Sequence, residues 1–86
     1  MKNFKNKVVV ITGAASGMGR SYALMFAKLG SKIAICDYDE KGLRETEKMV
    51  MELADVSVYA EKLDVSDKAG VYAFAQAVKA ELGNAH

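Results

Sequence analysis

Three glycines stand at i, i+4 and i+6 in Thr12-Gly13-Ala14-Ala15-Ser16-Gly17-Met18-Gly19, directly behind the apolar, β-branched run Val8 to Ile11. The chemistry this spacing can do is anion binding. A strand that feeds a glycine-rich turn and then a helix leaves the first helical N–H groups without intrahelical partners, aimed beyond the strand end. Gly13 lets the chain turn sharply where a Cβ would be penalised. Gly17 lets a phosphate approach the backbone, and Gly19 lets the new helix pack closely on the strand. Ser16 and Met18 add backbone N–H groups, and Ser16 a hydroxyl as well. Arg20 reads as an exposed helix arginine rather than a phosphate ligand. A bare glycine triplet is weak evidence; the strand before it and the helix after it make the signal specific.

The second chemical group is Asp37, at the end of another apolar run, Ile33 to Cys36. An acidic residue about 20 positions beyond such a loop accepts hydrogen bonds from the ribose hydroxyls of a bound dinucleotide. Asp39 reads as the N-cap of the helix that follows, which leaves Asp37 for the ligand. A carboxylate there also selects between cofactors. A 2′-phosphate at about 4 Å, in an effective dielectric near 20, meets a repulsion on the order of 4 kcal/mol. Half of that gives roughly a thirtyfold preference for NAD over NADP.

The other titratable residues do not gather into a site. Cys36, in an apolar strand, reads as a small core residue. His86 stands alone at the end of the chain, and no spacing of His, Cys and carboxylates matches a metal-ligand set.

Thr12 to Gly19 resembles the T-G-x-x-x-G-x-G cofactor motif of the short-chain dehydrogenase/reductase family at every fixed position. The likeness runs on through Asp37 and Asp64-Val65. It implies that Asp64 hydrogen-bonds the adenine amino group and that Val65 packs beside the ring. NADP-preferring members often carry a basic residue just before the second motif glycine. Ser16 stands there, which again implies NAD. The resemblance further implies hydride transfer between nicotinamide C4 and an alcohol or carbonyl carbon. A tyrosine serves as acid or base, in a Tyr-x-x-x-Lys pair whose lysine lowers its pKa. None of the four tyrosines here has that lysine: Phe26, Gly42, Leu63 and Gln76 follow Tyr22, Tyr38, Tyr59 and Tyr72 at the required spacing. The family's Asn-Asn-Ala-Gly strand would begin past His86. Residues 1–86 are therefore expected to be the N-terminal, NAD-binding half of the family's domain, without catalytic residues and inactive alone. The alternatives are a stand-alone dinucleotide-binding module and a truncated, inactive product.

Positioning these groups takes three strands and three helices. Strands are expected over about 8–12, 32–37 and 56–60, the last reaching toward Leu63; helices over about 18–29, from Asp39, and from a Ser66 cap. Gly30 and Gly83 end the first and third helices. The apolar stripes are Met18, Tyr22, Met25, Phe26 and Leu29, then Leu43, Met49, Val50 and Leu53, then Val71, Phe74, Val78 and Leu82. The order β-α-β-α-β-α favours an α/β, Rossmann-type parallel sheet with strand order 3-2-1. The first two helices would cover one face and the third the other, leading to a fourth strand that would start near Asn84. Strand one then lacks a second neighbour, and its apolar, unguarded edge favours self-association. Residues 1–7 read as a polar leader.

Composition bounds the rest. Eighty-six residues make one domain, and a net charge of +1 leaves no basic footprint for nucleic acid or a membrane surface. There is no run long enough to span a bilayer and no apolar core of a signal peptide. One cysteine allows no internal disulfide, so a reducing, cytoplasmic setting is expected.

Overall fold

The computed structural model describes residues 4–83. Its elements alternate as expected: β1 Val8–Thr12, α1 Gly17–Lys28, β2 Lys32–Asp37, α2 Glu40–Leu53, β3 Val58–Lys62 and α3 Lys68–Leu82. The strands form one parallel sheet in the order β1-β2-β3, with Val8 opposite Lys32 and Ile33 opposite Val58. This is a Rossmann-type α/β unit with the 3-2-1 order read from the sequence. Strand β2 is central, and Ile33, Ala34, Ile35 and Cys36 are all fully buried.

Alternation along the strands divides the core in two. Ile11, Ile33 and Ile35 face α1 and α2, where Ala23, Ala27, Leu43 and Val50 close one cluster. Val8, Ala34 and Cys36 face α3, where Phe74, Val78 and Leu82 close the other with Leu63. Two helices on one face and one on the other is what right-handed crossovers in the order 3-2-1 require.

The helix stripes need correction. Helix α1 buries Ala23 and Ala27, while Met18, Tyr22, Met25 and Leu29 are all more than 40% exposed. Gly19, Ala23 and Ala27 recur every four residues and make a smooth face, so the helix lies close to the sheet; of the expected stripe Phe26, with Leu24 beside it, packs half-buried against the core. Helix α2 buries Gly42, Leu43, Thr46 and Val50; Met49 and Leu53 are exposed. Thr46 escaped the hydrophobic pattern because it is polar. On α3, Phe74, Val78 and Leu82 are buried as expected, but Val71 is exposed.

The ends of the elements are set by specific hydrogen bonds. Asp39 caps α2, its carboxylate accepting the Gly42 N–H at 3.2 Å. Helix α3 is capped by Asp67, which accepts the Gly70 N–H at 3.1 Å, and not by Ser66. Such caps contribute about 1 kcal/mol each. Ser66 instead donates its hydroxyl to Asp64 at 2.7 Å. Helix α1 closes on Gly30 at φ +84, with the Ser31 N–H bonded to the Phe26 carbonyl. Strand β3 begins later than expected because its ladder starts where the Ser57 carbonyl accepts the Ile33 N–H at 2.9 Å. The leader is not simply polar: Phe4 packs edge-on against Phe26, ring centroids 5.2 Å apart, and its carbonyl accepts the Ser31 hydroxyl.

Strand β1 has β2 on one side and no strand on the other among the described residues. Between its open edge and α3 runs a groove of about 540 Å³, lined by Val10, Thr12, Leu63, Val71, Phe74 and Val78. Residues 84–86, which include His86 and the expected start of a fourth strand, lie outside the described residues. Among the described residues no helix is long and apolar enough to cross a membrane.

Candidate functional site

The glycine loop is built from two kinds of glycine. Gly13 at φ +66 and Gly17 at φ +57 occupy the left-handed region that L side chains rarely adopt. A Cβ on Gly17 would meet nothing within 4 Å, so the space over the loop is open. Gly19 is different. Its Cβ would run into the Gly13 carbonyl oxygen, with the Gly13 carbonyl carbon at 2.8 Å and the Ala14 Cα at 3.0 Å. The close approach expected between α1 and the strand is therefore made against the loop backbone just after β1.

Ser16 holds the N-cap position of α1 in extended backbone conformation, but its side chain makes no cap bond, and no acidic side chain lies in the first turn. No side chain of the first turn therefore offsets the positive end of the helix. Met18 stands beside it, 72% exposed. Ser16, Gly17, Met18 and Gly19 sit together at this end, as the sequence places them.

Asp37 reaches the same place from β2, but it is not idle. One carboxylate oxygen accepts the Ala15 N–H and the other the Asp39 N–H, both at 2.9 Å. The expectation that the Asp39 cap leaves Asp37 unengaged is corrected: Asp39 does cap α2, and Asp37 meanwhile ties the glycine loop to the end of β2. An ionised carboxylate has about four acceptor positions, so two are left. Next to it lies a recess of about 170 Å³ lined by Gly13, Asp37, Tyr38, Leu63, Asp64 and Val65. Asp64 and Val65, separated from Gly13 by four elements (α1, β2, α2 and β3), meet it here because parallel strands deliver all their C-terminal ends to one edge of the sheet.

Asp64 is fully exposed, and hydrogen bonds from the Ser66 N–H and hydroxyl hold its carboxyl below the usual carboxylate range. It is thus an anion, an acceptor facing the recess mouth. The Lys62 ammonium lies over the exposed Tyr38 ring, 5.4 Å from its centroid, at the rim of the same recess. Burial, with help from Asp37 and Glu61, raises the Cys36 thiol above its ordinary value, so it is a core residue and not a thiolate. Among the described residues no group of His, Cys, Asp and Glu is placed to hold a metal ion.

Three residues that the sequence reading did not place in the site hold the loop from behind. Arg20 is not an exposed helix arginine. Its guanidinium donates to Thr46 Oγ1 at 2.8 Å, to the Gly42 carbonyl at 3.0 Å and to the Ala15 carbonyl. Thr46, fully buried, donates to the Ala14 carbonyl at 2.6 Å. Gly42 lets α2 come up against the loop: its Cβ would sit 2.7 Å from the Ala15 carbonyl oxygen. One signal was present in the sequence: Thr46 stands three residues after Leu43 and four before Val50, on the apolar period of the helix.

A parallel α/β unit whose glycine loop opens a helix beside an acidic strand end defines a class, the Rossmann-type dinucleotide proteins. Within that class the chain belongs to the short chain dehydrogenase family, whose family model matches residues 7–86. It is 46% identical over 83 residues to human epidermal retinol dehydrogenase 2, covering 96% of this chain and 27% of that protein. Among solved structures it is similar to a short chain dehydrogenase/reductase from Burkholderia phymatum in complex with NAD. There the TM-score is 0.94 and the identity 41%, over 100% of this chain and 30% of that one. It is also similar to an NADPH-bound short chain oxidoreductase from Pseudomonas aeruginosa PAO1, with a TM-score of 0.91 and 30% identity, over 99% of this chain and 34% of that one. The chain thus spans about a third or less of the length of these proteins.

Proposed function

We propose that residues 1–86 form the NAD seat of a short-chain dehydrogenase/reductase, the N-terminal part that holds adenosine and pyrophosphate. The observation that carries this reading is convergence. Gly13, Asp37, Asp64 and Val65, drawn from three strand ends, line one recess beside the uncapped start of α1. In this reading the backbone around Ser16, Gly17 and Met18 receives pyrophosphate, Gly19 keeps α1 close behind the loop, and Asp37 receives the ribose hydroxyls. Asp64 and Val65 meet the adenine. The open space over Gly17 and the spare acceptor capacity of Asp37 fit such a ligand. When bound in a complete member of the family, the nicotinamide would exchange hydride with an alcohol or carbonyl carbon. The preference for NAD rests on the Asp37 charge, and a cytoplasmic setting fits a single buried thiol. The stand-alone binding module is the second reading.

The 86 residues by themselves are expected to turn over no alcohol or ketone with either nicotinamide cofactor, since no Tyr-x-x-x-Lys pair is present. Steady-state assays on purified chain should stay at background. Activity that survives repurification would sink this reading.

The same 86 residues are also expected to self-associate through β1. Its outer edge pairs with no strand among the described residues and lies beside an apolar groove, with neither lysine nor proline on the strand to discourage pairing. Light scattering over a dilution series tests this. A monodisperse monomer with dispersed amide resonances at high concentration contradicts it.

A further inference from the structure

The contacts behind the glycine loop form a device of their own. Ala14 and Ala15 are consecutive, and both their carbonyls are held from the α2 side. The Thr46 hydroxyl donates to the first, and the Arg20 guanidinium donates to the second. Arg20 Nε in turn donates to Thr46 Oγ1, so the two clamping side chains fix one another. The Gly42 carbonyl at the start of α2 accepts from the same guanidinium and anchors it to the helix. Arg20 also lies 3.4 Å from a Glu45 carboxylate oxygen, a partly exposed and weaker contact.

A peptide unit is planar, and in the trans form its C=O and N–H point in opposite directions. The chain has no cis peptide bond among the described residues. Holding the Ala14 carbonyl toward α2 therefore turns the Ala15 N–H the other way, and there it meets Asp37 at 2.9 Å. Holding the Ala15 carbonyl does the same for the Ser16 N–H, directing it away from α2. The faces of two loop peptides are thus set by the side chains of Thr46 and Arg20. Thr46 is fully buried, so an unpartnered hydroxyl or carbonyl there has no water to turn to.

We propose that Arg20 and Thr46 are positioning residues for the loop: together they fix the Ala14–Ala15 peptide, which ties the loop to Asp37, and the Ala15–Ser16 peptide, whose N–H is turned toward the dinucleotide. This rests on the NAD-seat reading for its functional consequence, but its structural content can be tested without ligand. The probe is amide exchange of Ala15, read by NMR on the full chain, with the Ile33 amide of the β2–β3 ladder as internal control. In Thr46→Val, which keeps the shape and removes the hydroxyl, Ala15 exchange should rise tenfold or more while Ile33 is unchanged. Thr46→Ser, which restores the hydroxyl, should return Ala15 to the parent rate. Arg20→Lys keeps the charge but loses the planar fork and should behave like Thr46→Val.

Ala15 protection unchanged in Thr46→Val overturns the proposal. Where Thr46→Val loosens Ile33 equally, Arg20→Lys decides. Global loosening in both variants shows general support of the fold rather than a loop clamp, and overturns it too. Titration with ADP-ribose supplies the functional half: Thr46→Val should weaken binding at least tenfold and Thr46→Ser should restore it. Parent-like binding by a Thr46→Val chain that has lost Ala15 protection overturns the positioning role. A parent chain that binds no ADP-ribose defeats the NAD-seat reading instead, and the exchange data still decide the clamp.

Discussion

Gly19→Val is expected to destabilise the chain severely, and Gly17→Asn to leave the fold largely intact while removing dinucleotide binding. The two glycines are two residues apart, yet their surroundings are opposite. Any Cβ on Gly19 meets loop backbone, with the Gly13 carbonyl carbon at 2.8 Å and Ala14 Cα at 3.0 Å. Backbone cannot rotate away as a flexible side chain can, so α1 or the loop must shift. Overpacking of this kind costs about 1–3 kcal/mol and sometimes more. For a domain of this size each kcal/mol lowers the melting temperature by about 4–8 °C. A drop of roughly 10–20 °C is expected for Gly19→Val.

At Gly17 the added side chain enters open space, and the cost is conformational. A β-branched residue at φ +57 is strained, about 1–3 kcal/mol for a residue forced into that region. Gly17→Val would therefore mix strain with obstruction. Asparagine tolerates the left-handed region and isolates the obstruction. Circular dichroism melts and ADP-ribose calorimetry on both variants provide the check. A Gly17→Asn chain that binds like the parent means that the loop is not a phosphate seat. A Gly19→Val chain that melts like the parent means that the close approach does not matter.

The second large effect is expected at Asp37. The parent chain should bind NAD about thirtyfold or more tightly than NADP, from repulsion between the carboxylate and the 2′-phosphate. Asp37→Ala should narrow that gap, but it also strips the acceptors from the Ala15 and Asp39 N–H groups. Affinity for NAD should fall along with selectivity. Asp37→Asn removes the charge and keeps one acceptor oxygen. It should lose selectivity with a smaller loss of NAD affinity than Asp37→Ala. Calorimetry showing equal NAD and NADP affinity in the parent would refute the role given to Asp37. The comparison is informative because the similar solved structures include both NAD and NADPH complexes.

The sequence by itself determined the element order, the parallel sheet and the loop. Val8 to Ile11, the glycine spacing and the Asp39 cap are local signals, and local signals act through backbone propensity and unpaired helix-end groups, which need no knowledge of neighbours. The 3-2-1 order followed from the handedness of crossovers, a rule that holds for any chain of this pattern. The meeting of Gly13, Asp37, Asp64 and Val65 was also within reach, because parallel strands end on one edge.

What only the tertiary structure decided is which face each helix turns inward and what the polar side chains do there. On α1 Phe26 packs against the core as expected, but Met18, Tyr22, Met25 and Leu29 are exposed, since Gly19, Ala23 and Ala27 permit a closer approach to the sheet than Met, Tyr and Leu would. Thr46 and Arg20 are polar, yet one is buried and the other makes four contacts, because they satisfy the Ala14, Ala15 and Gly42 carbonyls. Asp37 is engaged for the same reason: buried or half-buried backbone groups must find partners, and the nearest partner can stand far along the chain. That demand is non-local, and only the packed arrangement of β1, β2 and α2 shows how it is met.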